Sequence, residues 1–167
     1  MKSDSNITIK EVISSDELKK FVMFPHTLYK DSKYWVAPII KEELEVLNKE
    51  TNPVFNNAIA HYFLAYIDGE IVGRIAALIN WIEVKDLKKK KVRFGWFDFI
   101  DDQNVSKALL EKVIEIGKKN NLEFIEGPVG FSNMDKAGML IKGFEKKNTM
   151  ITMYNYSYYQ DHMKSHG

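Results

Sequence analysis

Two acidic residues stand at the ends of runs rich in β-forming side chains: Asp98 in "VRFGWFDFI" and Glu126 in "LEFIEGPVG". Strict alternation along 92–100 puts Asp98 on the face of Phe94 and Trp96. Such an apolar setting raises a carboxylate pKa and suits a general base. Glu126, just before Gly127-Pro128, is the second candidate base. For both, the alternative is a strand end facing solvent. The stretch "FIDDQNVSKALL" passes from strand into helix, and a helix N-terminus offers unpaired N–H groups to a phosphate. Val105, Ser106 and Lys107 would supply those groups, with the Ser106 hydroxyl and the Lys107 ammonium assisting. Against that, Asp101 and Asp102 repel a phosphate and no glycine opens the turn. The competing reading is that Asp102 or Asn104 simply caps the helix, worth about 1 kcal/mol.

Other chemistry-bearing residues are more isolated. Arg74 interrupts the apolar run "IVGRIAAL" and must reach water, an acid or an anionic ligand. His162 and His166 are spaced i, i+4, which suits a metal, yet no third ligand stands out and no metal is expected. His26 and His61 are lone histidines, read as packed or capping. The chain has no cysteine, which removes thiol nucleophiles, disulfides and cysteine-based zinc sites.

These residues must be positioned by one domain. The 167 residues are 45% hydrophobic and 28% charged, with a formal net charge of +1. That is ordinary globular composition, with no bulk field to attract nucleic acid or an anionic membrane. The short cluster Lys88–Lys91 is read as a solvated turn. No apolar run is long enough to span a bilayer and the polar start does not resemble a signal peptide, so the expectation is a soluble, cytoplasmic protein.

Along the chain, 7–14 suits a first strand and "SSDELKKFVMF" a helix capped by Ser14 or Ser15, with Pro25 clouding its end. "APIIKEELEVLN" reads as a helix that can begin at Pro38. Asp68-Gly69 between two β-rich runs signals a hairpin, and 92–100 adds a third strand. A helix follows from about Asn104 to Asn120, on the spacing of Val105, Leu109, Val113 and Ile116. Then come a strand at 122–126, a short helix in "MDKAGMLIKGF", and an extended run leading into a terminal helix. The order differs from a doubly wound fold, and neither Gly-x-Gly-x-x-Gly nor a P-loop is present.

This order, with the words "FPHTLYKDSKYWVAP", "NPVF", "GRIAALIN", "FGWFDFIDD", "GPVGFSN" and "YNYSYY", resembles the GNAT acyltransferase superfamily, in an uncharacterised bacterial branch. The resemblance implies an α/β (α+β type) fold: one GNAT-like domain over 1–167, a mixed, mostly antiparallel sheet flanked by helices. It implies acyl-CoA in a V-shaped opening between 92–100 and 122–126, touching Phe99 and Ile100. It also implies a small-molecule amine as acceptor, with attack on the thioester direct because no cysteine is available. An acidic residue in the place of Asp98 can face that amine. Tyr158 or Tyr159 would protonate the departing thiolate, and Asn155 would touch the cofactor. The aromatics Phe24, Tyr29, Tyr34 and Trp35 can wall an acyl or amine pocket.

Two departures from the family pattern stand out. The glycine-rich turn that cradles the CoA pyrophosphate is replaced by "DDQNVSKAL", and the chain stops at "SHG", where the branch continues into further strands. The expectation is therefore a domain incomplete at its C-terminal end, whose exposed sheet edge pairs with a second copy or a partner chain. The rival to an N-acyltransferase is a non-catalytic GNAT-like module that binds a ligand or partner.

Overall fold

The computed structural model describes residues 6–167. Its elements run β1 (Thr8–Glu11), α1 (Ser15–Leu28), α2 (Ile40–Leu47), β2 (Ala58–Ile67), β3 (Glu70–Asn80), β4 (Lys91–Phe99), α3 (Gln103–Lys119), β5 (Phe124–Glu126) and α4 (Tyr159–His166). The five strands lie in one sheet in the order β1-β2-β3-β4-β5. Neighbours are antiparallel except β4 and β5, which are parallel. This is the mixed, mostly antiparallel sheet flanked by helices that the family resemblance implies.

Local chemistry explains most of the boundaries. Asp68 and Gly69 both take positive φ (51° and 87°), the geometry of a two-residue hairpin turn between β2 and β3. Ser14 and Glu17 form a reciprocal capping box at α1. Asp102 caps α3 by accepting from the Asn104 N–H at 2.8 Å.

Apolar side chains cover both faces of the sheet. On one face Val105, Leu109 and Val113 of α3 pack on Phe94, Phe97, Phe99 and Ile75. On the other, Phe21 and Val22 of α1 and Leu47 of α2 pack with Leu64, Ala76 and Leu78.

One open boundary is resolved and two local expectations are corrected. First, α1 runs through Pro25 to Leu28. Proline has no N–H to give the carbonyl four residues back, at Phe21, and Arg74 Nη1 supplies that bond instead at 2.8 Å. Second, 134–144 is not a helix but a series of turns, with positive φ at Gly138 and Gly143. Third, β4 does not alternate strictly. Arg74 pairs with Asp98 and Ala76 with Gly95, so one extra residue is inserted, and Trp96 takes φ +46°. That bulge turns Asp98 away from Phe94: Phe94, Phe97 and Phe99 face α3, while Trp96 packs on the α1 side and Asp98 meets Arg74 and Tyr29.

Candidate active site

The β4 bulge lies where β4 and β5 part company. The two strands are in register only at Lys91–Phe124, Val92–Ile125 and Arg93–Glu126. The chain beyond β5 then crosses close over β4. Val129 N–H donates to the Phe94 carbonyl at 2.8 Å, and a Cβ on Gly95 would come within 2.5 Å of the Val129 carbonyl oxygen. No β3 residue is in register opposite Trp96 or Phe97. A cavity of about 200 Å³ opens at this point, with Gly95, Trp96, Asp98, Val129 and Gly130 among its walls. Pro25 of α1 and Tyr29 just after that helix, Glu43 and Val46 from α2, and Trp35 between the two helices close the other side.

A buried polar network forms part of the cavity wall. Arg74 Nε and Nη2 each lie 2.8 Å from Asp98 Oδ2, and both side chains are almost fully buried. Asp98 Oδ1 accepts from the Tyr29 hydroxyl at 2.9 Å. The Tyr29 and Tyr159 hydroxyls are 2.9 Å apart, and Phe99 N–H donates to the Tyr159 oxygen at 3.2 Å. Since the Tyr29 proton goes to Asp98, Tyr159 donates to Tyr29, giving one directed chain from the β4 main chain to the carboxylate. Burial, reinforced by the Asp98 charge, pushes both phenols well above their ordinary pKa, so they stay protonated. Burial also raises the Tyr158 phenol, whose hydroxyl donates to the Phe99 carbonyl. Asp98, with two guanidinium donors and one phenol, is a fixed counter-ion that aims Tyr29.

Of the candidates read from the sequence, the structure brings Asp98, Phe99, Tyr158 and Tyr159 close together. The remaining candidates lie elsewhere. Glu126 is the last β5 residue in register with β4, opposite Arg93, and its carboxylate lies 2.6 Å from Lys91 Nζ and 3.2 Å from Arg93 Nε. Its pKa is lowered, chiefly by the Lys91 hydrogen bond. The Asn155 amide pins the long loop, accepting from Leu140 N–H at 2.7 Å and donating to the Leu140 and Tyr156 carbonyls. Ile100 N–H bonds the Val72 carbonyl. At the start of α3, the N–H groups of Val105 and Ser106 go to the Asp102 carbonyl, and α4 packs directly on this helix end. Ser106 Oγ lies 2.8 Å from both His162 Nδ1 and His166 Nε2, and His162 Nε2 lies 2.9 Å from Asp101. The i, i+4 histidine spacing therefore serves α4–α3 docking. Lys107, the residue after Ser106, makes no side-chain bond among the described residues.

With its N–H groups taken, two aspartates beside it and histidines over Ser106, the α3 end does not fit a pyrophosphate. The wedge at the β4 bulge, by contrast, has room and an adjoining store of protonated hydroxyls. Among the described residues, no group of three metal-ligating side chains forms. No described helix is long and apolar enough to cross a membrane.

Two cavity residues escaped the sequence reading as chemical participants. Tyr29 stood only among wall aromatics, and nothing local marks its hydroxyl. Glu43, whose Oε2 accepts from the Trp96 indole N–H at 2.7 Å, lies in a helix with three glutamates and no signal separating it from the others.

No family model matches the sequence. Among curated proteins, the chain is 30% identical over 159 residues to Protein YghO of Escherichia coli K12, covering 95% of this chain and 40% of that protein. It is 27% identical over 144 residues to a bacterial ceramide synthase of Caulobacter vibrioides, covering 86% of this chain and 38% of that protein. The chain thus spans about two fifths of the length of these relatives. Among solved structures, it resembles a predicted acetyltransferase with acetyl-CoA from Clostridium acetobutylicum (TM-score 0.53, 14% identity, 72% of this chain and 79% of that one). An aminoglycoside acetyltransferase from an uncultured soil sample, in complex with sisomicin, is similar at TM-score 0.52 and 16% identity, over 74% of this chain and 78% of that one. A tandem GNAT protein of the clavulanic acid pathway gives TM-score 0.54 at 12% identity, over 70% of this chain and 34% of that one.

Proposed function

We propose that this chain, which has the fold of the GNAT acyltransferase superfamily, moves an acyl group from a thioester to an amine. The observation that carries the reading is the parting of β4 and β5 after Arg93–Glu126, where a cavity meets a bulged main chain and a buried phenol network. The donor's thioester arm lies along the β4 edge between Gly95 and Phe99. The amine comes from the cavity side and attacks the thioester carbon. A C–N bond forms, the C–S bond breaks, and the thiolate leaves. Before attack the acceptor loses one proton to solvent, passing from ammonium to free amine, and Tyr158 or Tyr159 then relays the second nitrogen proton to sulfur. Asp98 keeps the network oriented. Glu126 and Asn155 support this arrangement from its edges, by fixing β5 to β4 and by holding the loop that precedes α4. The donor class is acyl-CoA, as in the acetyl-CoA-bound neighbour, or another thioester carrying the same arm. The ceramide synthase relative adds support, since ceramide is an amide of a long-chain amino alcohol.

A second reading, ligand binding without transfer, is favoured by the α3 end, which lacks a seat for a diphosphate. The two separate in one assay. The chain is incubated with acetyl-CoA or a long-chain acyl-CoA and a primary amine, and free thiol and amide are followed by absorbance and mass spectrometry. Transfer gives equal thiol and amide, both dependent on protein and amine. Thioester binding with neither product leaves the non-catalytic module.

A further inference from the structure

The cavity contains a carboxylate that the reaction outlined above does not use. Five charged residues line it: Glu43, Arg74, Asp98, Asp135 and Lys136. Arg74 and Asp98 neutralise one another. Asp135 is exposed, and its carboxylate accepts from the Ser132 N–H at 2.8 Å. Glu43 is different. It is half-buried, and its Oε2 is fixed by the Trp96 indole, which the β4 bulge turns to the cavity side. No lysine, arginine or histidine forms an ion pair with it among the described residues, and the neighbouring Lys41 is paired with Glu45 instead. Its second oxygen accepts no hydrogen bond among the described residues.

A carboxylate in a part-apolar hollow with one free oxygen calls for a cation. The surroundings say which kind. Trp35, Trp96 and Tyr154 offer aromatic faces, and Pro38 and Val46 offer aliphatic surface. Aromatic faces attract a cation and accommodate an apolar body at once. The cavity, about 200 Å³, is too small for a folded polymer and suits a single chain-like or ring-like group. A guanidinium would leave several donors unmatched beside one free oxygen, whereas a primary ammonium can divide its three N–H groups between that oxygen, water and an aromatic face.

We infer that Glu43 is the anchor for the acceptor: it binds the ammonium of a primary amine borne on an apolar chain, and the aromatic walls take the chain. This deepens the transferase reading and rests on it for the word acceptor, but the binding site itself exists without a donor. Glu43 selects for charge, and the Trp35–Trp96–Tyr154 surface selects for apolarity.

The test is a titration of the whole chain, with no thioester present, using n-hexylammonium and the neutral n-hexanol. The Trp96 indole N–H resonance and the heat of binding are the readouts. The ammonium should bind at one site, shift that resonance, and bind at least about tenfold tighter than the alcohol. Glu43→Gln should erase the preference for the amine, while Glu45→Gln, on the same helix but outside the cavity, should leave it unchanged. The wild-type comparison needs no variant, so it stands even if Glu43→Gln fails to fold. Equal affinity for amine and alcohol overturns the inference. So does unchanged amine binding in Glu43→Gln, or no binding of either probe. Amine binding of the expected kind without thiol release in the transfer assay would refute the transferase reading and leave this site standing. Thiol release with an amine KM unaffected by Glu43→Gln would do the reverse.

Discussion

Asp98 shows how one residue can hold a site together without itself being a free base. Its two oxygens meet Arg74 and Tyr29, and Arg74 reaches on to the Phe21 carbonyl that Pro25 leaves without a helical partner. Asp98→Ala should therefore lower stability by about 3–5 kcal/mol, because a buried guanidinium loses its counter-ion. Urea unfolding checks this, and a loss below about 1 kcal/mol would contradict the account. Glu126 makes a separate prediction. Its pKa in the folded chain is lowered, so the stability it contributes is present above the ordinary carboxylate value and is lost as pH falls through the lowered one. Between about pH 6 and about pH 3, the wild type should lose more stability than Glu126→Gln. Parallel curves would show that its bonds to Lys91 and Arg93 contribute nothing. Few of these partnerships were readable from sequence. The Phe21 and Arg74 partners are 53 residues apart, and a lone mid-strand arginine fits an ion pair, a ligand and a helix carbonyl equally well.

Elements were more legible where the signal is local. The Asp68-Gly69 turn, the Ser14 cap and the Asp102 cap each act within four residues; the sequence places the turn outright and narrows each cap to two residues, Ser14 or Ser15 and Asp102 or Asn104. The β4 bulge was not legible. One extra residue in "FGWFDF" leaves composition untouched, while it moves every later side chain to the opposite face. Positive φ at a tryptophan has no marker in the sequence. The glycine-bearing segment 134–144 reads as a short helix in the sequence, whereas Gly138 and Gly143 take positive φ and break it into turns. Gly95 is the element-scale test. A methyl there meets the Val129 carbonyl, which is backbone and has little freedom to yield. Gly95→Ala should cost about 1–3 kcal/mol and displace the 128–130 crossing, with loss of thiol release larger than the stability loss explains. Full activity in a stably folded Gly95→Ala chain would show that the crossing does not shape the site.

At the scale of the whole molecule, two helical layers around a five-stranded sheet serve to hold one strand, β4, between different tasks. Its start is clamped to β5 and its middle is bulged and open. Its end is covered by the hydroxyls of Tyr158 and Tyr159. The central claim is that the open middle receives the thioester arm of the donor and that the α3 end does not hold a diphosphate. Amide hydrogen exchange tests it most directly, with saturating acetyl-CoA in one sample and S-acetyl-pantetheine in another. The account predicts that both ligands slow exchange at 95–99 to a similar degree and leave the first turn of α3 unchanged. Protection confined to the α3 and α4 ends, or no change along β4 with either ligand bound, would contradict it.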